Sequence, residues 1–168
     1  MPLLHILQIP HPALRKIAQP VEVVDDQIRQ IASDMLETMY TDNGVGLAAI
    51  QVNIQKRIVV LDISDTRDEP HIFINPKIVS EKGRETFQEG CMSVPGFWEM
   101  VERAASVTVE ALNEKGEPFT MELTGLFADC IQHEIDHLDG VLFIDHLSSF
   151  KRDRILKKFE KLAKQKML

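Results

Sequence analysis

Two histidines and a glutamate stand at a spacing that suits a metal site. The residues His133-Glu134-Ile135-Asp136-His137 fit the pattern HExxH. Residues four apart lie on one face of a helix, so His133 and His137 can reach the same ion. Glu134 is rotated by about 100° around the helix, where its carboxylate can reach a water on that ion. The pattern therefore predicts a catalytic metal site rather than a polar helix face with two unrelated histidines.

A catalytic ion of this kind needs a third protein ligand. The extended zinc-peptidase pattern HExxHxxGxxH places a histidine where this chain has Phe143. Glu160 lies further along in a basic segment, where it is better interpreted as an ion-pair partner of neighbouring lysines. Cys91 is the strongest remaining candidate because a thiolate is a good soft ligand, although a single cysteine is more often a core residue. Cys130, which has apolar neighbours, is expected in the core.

The hydrophobic periodicity predicts the elements that must position these residues. Helices are expected at 25–40 with Asp25 or Asp26 as the cap, at 125–139 with Gly140 as the terminator, and at about 148–166. Strands are expected at 57–63 and 71–74, followed by a hairpin at 107–112 and 118–123. Residues 43–51, NGVGLAAIQ, suit a tight turn or a close backbone approach. This order predicts an α+β fold with antiparallel sheets around a central HExxH helix, flanked by N-terminal and C-terminal helices.

Composition and charge indicate a globular protein and argue against membrane-spanning, secreted and DNA-binding classes. A length of 168 residues with 44% hydrophobic and 27% charged residues is typical of one globular domain, so we expect residues 1–168 to form a single catalytic domain. No apolar run is longer than that from Ile58 to Leu61, which is far too short for a membrane span, and the N-terminal segment lacks the features of a secretory signal. The protein is therefore expected in the cytoplasm, without a membrane partner. The net charge of −7 argues against a specific DNA partner.

Three motifs, in order, resemble the signatures of bacterial peptide deformylase. They are GVGLAAIQ at 44–51 (family pattern GxGLAAxQ), EGCMS at 89–93 (EGCxS) and QHEIDH at 132–137 (QHExDH). With the flanking helices, the resemblance covers essentially the whole chain. It implies a hydrolase that removes the N-formyl group from the N-terminal formyl-methionine of newly made polypeptides and releases formate.

The resemblance assigns the metal site residue by residue. Cys91, His133 and His137 would hold one divalent metal ion, natively Fe²⁺, with Zn²⁺, Ni²⁺ or Co²⁺ able to occupy the same site. Glu134 would act as the general base and then as the general acid.

Further matching residues would bind the substrate. The resemblance implies that the Gln51 side chain and the Met92 backbone N–H face the formyl oxygen. It also implies that the backbone at Val45 and Gly46 pairs with the bound peptide as a strand, and that Gly44 and Gly46 permit this approach. Taken alone, these glycines would mark only a turn.

Two positions depart from the commonest family pattern. Asp129 stands where relatives frequently have an apolar residue, at the edge of the pocket for the methionine side chain, and Trp98 stands where some members have arginine near the mouth. Both are expected substrate-binding residues, although Trp98 suits a core aromatic equally well. Glu89 has no predicted role, since a loop carboxylate is usually solvated.

The alternatives to a deformylase are an HExxH metallopeptidase or other metal amidase, and a metal-stabilised ribosome-binding module. The charge of the C-terminal segment would suit a binding surface. Residues 151–168 contain eight basic and two acidic residues, a net charge of +6, which leaves −13 for the rest of the chain. The resemblance implies that this helix docks transiently on the ribosome, where N-formylated nascent peptides emerge. An amphipathic helix that simply packs on the body would explain its apolar residues equally well.

Overall fold

One antiparallel sheet lies between two helices in the computed structural model, which describes residues 3–166. The helices are α1 (Asp26–Thr41), α2 (Gly125–Leu138) and α3 (Ser149–Lys166). The strands are β1 (Gly46–Ala48), β2 (Ile58–Leu61), β3 (His71–Lys82), β4 (Glu85–Cys91), β5 (Val94–Arg103), β6 (Ser106–Leu112) and β7 (Pro118–Thr124). The expected α+β class is confirmed.

The predicted helices are present, and their predicted ends have the expected chemistry. Asp25 caps α1, because its side chain accepts a hydrogen bond from the Ile28 N–H at 3.0 Å. Gly140 follows α2 with a φ of +75°, and a Cβ at this position would lie 2.6 Å from the Arg15 carbonyl oxygen. Glycine therefore ends α2 for both conformational and steric reasons.

The main sheet has five strands in the order β1-β2-β3-β6-β7, and every neighbouring pair is antiparallel. All four residues of β2 are buried because the sheet is covered on both faces. Val59 and Leu61 belong to the core that contains α2, whereas Ile58 and Val60 belong to the core that contains α1. The sheet thus places α2, and its HExxH motif, against a rigid surface.

The strand predictions were incomplete in the middle of the chain. The predicted strand at 71–74 continues to Lys82 as β3, through Pro76. Strands β4 and β5 were not predicted, and they form a separate two-stranded antiparallel sheet. This second sheet ends its first strand at Cys91, beside α2.

Helix α3 packs on β5 through its apolar face. Ile155 and Phe159 are buried, and the Phe159 ring lies 5.6 Å from the Phe97 ring. The lysines at 157, 161 and 164 remain exposed. Packing therefore explains Ile155 and Phe159, whereas it explains neither the exposed Phe150 and Leu162 nor the exposed charges.

Between residues 3 and 166, none of the helices combines the length and the apolar character needed to cross a membrane.

Candidate metal centre

Cys91, His133 and His137 converge on one point, and each offers a ligand atom within 4.8 Å of the others. The two histidines are one turn apart on α2, and Cys91 comes from the end of β4. The Cys91 Sγ lies 3.3 Å from Nε2 of His137. Glu160, the alternative third ligand considered from the sequence, is exposed on α3. One sulfur and two imidazole nitrogens form a donor set that suits Fe²⁺, Zn²⁺, Ni²⁺ or Co²⁺.

The environment of the two imidazoles fits a cation. Nδ1 of His133 lies 2.8 Å from Oε1 of Glu89, which leaves its Nε2 as the nitrogen available to an ion. Burial lowers the pKa of both imidazoles, but Glu134, Cys91 and Glu89 raise the pKa of His133 well above its usual value. The Glu89 carboxylate would likewise stabilise a divalent ion beside His133. The pKa of His137 stays well below normal, so its imidazole is neutral and can act as a ligand.

A buried ion-pair network contacts His133 on the side away from the other ligands' shared point, and most of its members could not be predicted from the sequence. Arg103, at the end of β5, donates to both carboxylate oxygens of Glu89 at 2.5 and 2.9 Å, and to Asp136 at 2.9 Å. Glu89 and Arg103 are 4% and 5% exposed, so Glu89, for which the sequence predicted no role, is a buried charge. Asp136 also contacts His146 at 2.8 Å. The position of Glu89 and Asp136 inside two motifs was the only hint of this role.

Glu134 is buried on α2 between the two histidine ligands in sequence, and its carboxylate lies close to Gly46 of β1. Its Oε1 has no hydrogen-bond partner among residues 3–166, and a Cβ at Gly46 would lie 2.6 Å from its Oε2. Burial raises the pKa of Glu134 to about 7, although the positive charge of His133 opposes this rise. A carboxyl group with a pKa near the working pH can both accept and return a proton.

The Gln51 amide is fixed with its NH₂ group toward the ligands. Its Oε1 accepts a hydrogen bond from the Ala48 N–H at 2.9 Å. Its Nε2 donates to the Ser93 hydroxyl at 3.1 Å and lies 3.5 Å from the Cys91 Sγ. Met92 and Ser93 form the turn between β4 and β5, so the Met92 backbone follows the ligand directly. These contacts place the Gln51 amide beside Cys91, and Met92 is the next residue of the chain.

The glycine segment before β1 lines the same cavity and allows close contacts. A Cβ at Gly44 would lie 2.6 Å from the Met92 Cε, and one at Gly46 would meet Glu134 and Leu61. The Asp62 N–H donates to the Val45 carbonyl at 2.9 Å, and Gly46 is the next residue of the β1–β2 ladder. Since bonded and non-bonded pairs alternate in an antiparallel ladder, the Gly46 N–H and C=O point toward the open edge of the sheet. The expected close approach of the backbone is therefore present.

A cavity of about 450 Å³ opens beside these groups, and both departures from the family pattern line it. Trp98 is 65% exposed and lies on Gly90, so it is at the mouth and is not a core aromatic. Asp129 is 5% exposed, and its Oδ1 lies 3.5 Å from Nε of Arg103 without a hydrogen-bond partner in the described chain. Cys130 is buried in the core, as expected, and also contributes to the cavity wall.

Comparison with known proteins gives one consistent result. A family model described as polypeptide deformylase matches residues 3–153. A peptide deformylase of Pseudoalteromonas translucida is 57% identical, covering 98% of both chains, and one of Stutzerimonas stutzeri is 55% identical, covering 98% of this chain and 99% of its own length. A peptide deformylase structure from Legionella pneumophila superposes with a TM-score of 0.89 at 47% identity, covering 96% of this chain and 98% of the other.

Proposed function

The chain belongs to the polypeptide deformylase family, and on that premise we propose which of its residues remove the N-formyl group from newly made polypeptides. The observation that carries the proposal is the Cys-His-His group together with the buried Glu134, whose carboxylate lies against Gly46 of the edge strand β1. We assign the reaction to residues 1–168 acting as one catalytic domain in the cytoplasm, where nascent chains are made.

The metal ligands are Cys91, His133 and His137. When a divalent ion is bound by them, the chemistry it supplies is Lewis acidity toward water and the formyl oxygen. We expect Fe²⁺ as the native ion, and Zn²⁺, Ni²⁺ and Co²⁺ suit the same donors. Metal analysis of enzyme purified without air tests this assignment. Full activity of a preparation that contains only tightly bound Zn²⁺ and is indefinitely stable in air would contradict it.

Glu134 moves the proton. Its carboxylate accepts a proton from the attacking water and returns it to the leaving amine as the C–N bond breaks, which releases formate and a free N-terminus. Burial supports this role because it holds the pKa of Glu134 at about 7. Close contact with the Gly46 backbone confines the carboxylate to the side of the site where the substrate binds.

Gln51 and Met92 stabilise negative charge on the former formyl oxygen. The Ala48 N–H holds the Gln51 carbonyl, so the Gln51 NH₂ group is oriented before the substrate arrives. The Met92 backbone N–H provides the second donor. Each such preoriented donor is worth about 3 to 4 kcal/mol in the transition state.

The peptide backbone binds along the open edge of β1, and its first side chain enters the cavity. Gly44, Val45 and Gly46 form this edge, and the glycines allow the substrate to come within hydrogen-bond distance. Trp98 at the mouth provides an apolar surface for the following residues of the peptide.

Asp129 makes the side-chain pocket more polar than an apolar residue would. Burial and the neighbouring Glu89 raise the pKa of Asp129 above its usual range, so the group can be a neutral hydrogen-bond donor near pH 7. Because the carboxyl group also has an oxygen that can accept a hydrogen bond, we expect Asp129 to favour a polar or basic substrate side chain more than isoleucine would. Rates for formyl-Met and formyl-Lys peptides in the wild type and in Asp129→Ile test this, and an unchanged ratio would refute it.

One experiment separates the deformylase from the other two candidate functions. Metal content is measured together with formate release from formyl-Met-Ala peptides and cleavage of the same peptides without the formyl group. Stoichiometric metal with formate release supports the proposal. Cleavage of the unblocked peptides would indicate a metallopeptidase, and stoichiometric metal without either activity would indicate a ribosome-binding module.

The exposed charges of α3 support a transient ribosome contact. Lys157, Lys161 and Lys164 can neutralise phosphates, whereas Lys158 lies 5.3 Å from the Phe97 ring and has a packing role. Changing the first three to glutamine should weaken ribosome co-sedimentation and reduce its salt dependence, without affecting hydrolysis of a short formyl peptide.

The matched control changes three exposed lysines elsewhere to glutamine and so alters the net charge equally: Lys56, Lys77 and Lys115. Equal co-sedimentation of both variants would show that α3 has no special role.

A further inference from the structure

The loop that follows β2 reaches back to the substrate-binding segment through one side chain. Nη2 of Arg67 donates a hydrogen bond to the Gly44 carbonyl, and Nη1 donates to the Asp62 carbonyl at 3.1 Å. Gly44 lines the cavity, whereas Arg67 is not among the residues that line it. Arg67 thus joins two backbone segments without itself reaching the site.

Arg67 is held in place by its surroundings. Its guanidinium lies 5.1 Å from the centre of the Tyr40 ring, at the end of α1. The Tyr40 hydroxyl donates to the Asp62 carboxylate at 2.6 Å, and the same carboxylate accepts the N–H groups of Ser64 and Glu69 at 2.8 and 3.1 Å. Asp62 is fully buried, so the base of the loop is fixed. The arginine therefore has a defined position before any ligand binds.

These contacts fix a segment that would otherwise have much conformational freedom. The Gly44 N–H donates to the Met39 carbonyl at 2.9 Å, so with Arg67 on its carbonyl the residue is held from both sides. The next carbonyl, that of Val45, accepts from the Asp62 N–H at 2.9 Å. Glycine loses more backbone entropy on ordering than other residues do. If the segment is already ordered, this entropy is not lost when the ligand binds, so binding is stronger.

We propose that Arg67 is a positioning residue that orders the Gly44–Gly46 segment to receive the peptide backbone. The inference rests on the proposed function, because it assumes that this edge binds the formyl peptide. Its planar guanidinium can donate to two carbonyl groups at once, which a lysine cannot do with the same geometry. Arg67 acts on substrate binding rather than on the reacting atoms, so its loss should raise KM and leave kcat nearly unchanged.

The test compares Arg67→Ala and Arg67→Lys with the wild type on two substrates, formyl-Met amide and a formyl-Met tripeptide. We expect KM for the tripeptide to rise about tenfold in Arg67→Ala, with kcat within about twofold, because a hydrogen bond from a charged group is lost. The advantage of the longer substrate in kcat/KM should shrink, since it depends on backbone pairing. Arg67→Lys should be intermediate.

Arg84→Ala is the control, because Arg84 forms an exposed ion pair with Glu102. It should retain the wild-type KM and the wild-type advantage of the tripeptide. If Arg67→Ala lowers thermal stability but keeps the wild-type ratio between the two substrates, the role is only structural and the inference is overturned. If Arg67→Ala does not fold, an Arg67→Lys ratio equal to the wild type has the same meaning. Absence of formate release from the wild-type enzyme would overturn the proposed function itself.

Discussion

Glu89→Gln removes one negative charge from behind the metal ligand His133 and leaves the shape of the side chain unchanged. Burial alone would raise the pKa of Glu89, but the hydrogen bonds from Arg103 and His133 hold it well below its usual range. The wild-type group is therefore a carboxylate at neutral pH. Glutamine can still accept a hydrogen bond from Nδ1 of His133, but its NH₂ group would face the buried Arg103.

The structure sets the size of two separate effects. Breaking a buried ion pair by removing one partner costs about 3 to 5 kcal/mol of stability. We expect the lower end, about 3 kcal/mol, because Arg103 keeps its ion pair with Asp136 at 2.9 Å. Loss of a carboxylate behind a ligating histidine typically weakens metal binding about 10- to 100-fold. Since glutamine keeps the hydrogen bond and loses only the charge, we expect about tenfold.

Chelator competition measures the metal affinity, and urea unfolding measures the stability. Glu102→Gln is the matched control, since its pair with Arg84 is about 60% exposed on both sides and should contribute less than about 1 kcal/mol. Metal affinity equal to that of the wild type in Glu89→Gln, whatever its stability, would refute the view that this network supports the metal site.

Three further predictions concern the proton, the ligand sulfur and the loop after β2. Glu134→Gln should retain stoichiometric metal and lose about 10²- to 10⁴-fold in kcat, and a rate near that of the wild type would exclude the base role. Cys91→Ser should lose or weaken the metal, whereas Cys130→Ser should cost about 1 to 3 kcal/mol of stability; equal metal content in both variants would remove Cys91 from the site. Burial would raise the pKa of Asp62, but hydrogen bonds from Ser64 and Tyr40 lower it from 3.8 to about 2. The Asp62 carboxylate therefore stabilises the fold above about pH 4, and this contribution is lost as the pH falls toward 2. The difference in unfolding free energy between the wild type and Asp62→Asn should therefore be about 2 kcal/mol at pH 6 and shrink in acid, and a difference independent of pH would contradict the assignment.

The pattern of residues close together in the sequence was sufficient to predict the helices, but it was insufficient to predict all the strands. Helix α1 combines a clear period with the Asp25 cap, and both can be read within a few residues. The strand predicted at 71–74 stops two residues before Pro76, which cannot donate to a ladder. The chain continues through it with a register shift between Ile74 and Lys77, which lets the ladder resume.

Strands β4 and β5 were missed for a different reason. They contain Gly90, Pro95 and Gly96, and their residue types do not follow the burial: in β5 the exposed positions include Trp98 and Met100, whereas Arg103 is buried. They form because they pair with each other, which is not a local property.

Part of the candidate site could likewise be predicted from the sequence, and part of it could not. The three motifs contain the ligands and the candidate base, because their chemistry requires particular residue types at fixed spacing. Arg103 belongs to no motif, and its partners come from β4 and from α2. Its role could be recognised only after these elements were packed together, and the burial of Glu89 follows from that packing.

The short strand β1 has a consequence for self-association. A sheet edge left unpaired is a template on which strands of other molecules can add and start aggregation. Here the strand at the edge is only three residues long, Gly46–Ala48, and a 3₁₀ turn at Ala49–Val52 follows it immediately. Asn43, with a φ of +57°, turns the backbone on the other side. The end of an extended peptide needs only the few backbone hydrogen bonds that three residues offer. A strand of a neighbouring protein would form too few such bonds for stable association. The protein can therefore keep this edge open for a peptide without polymerising through it.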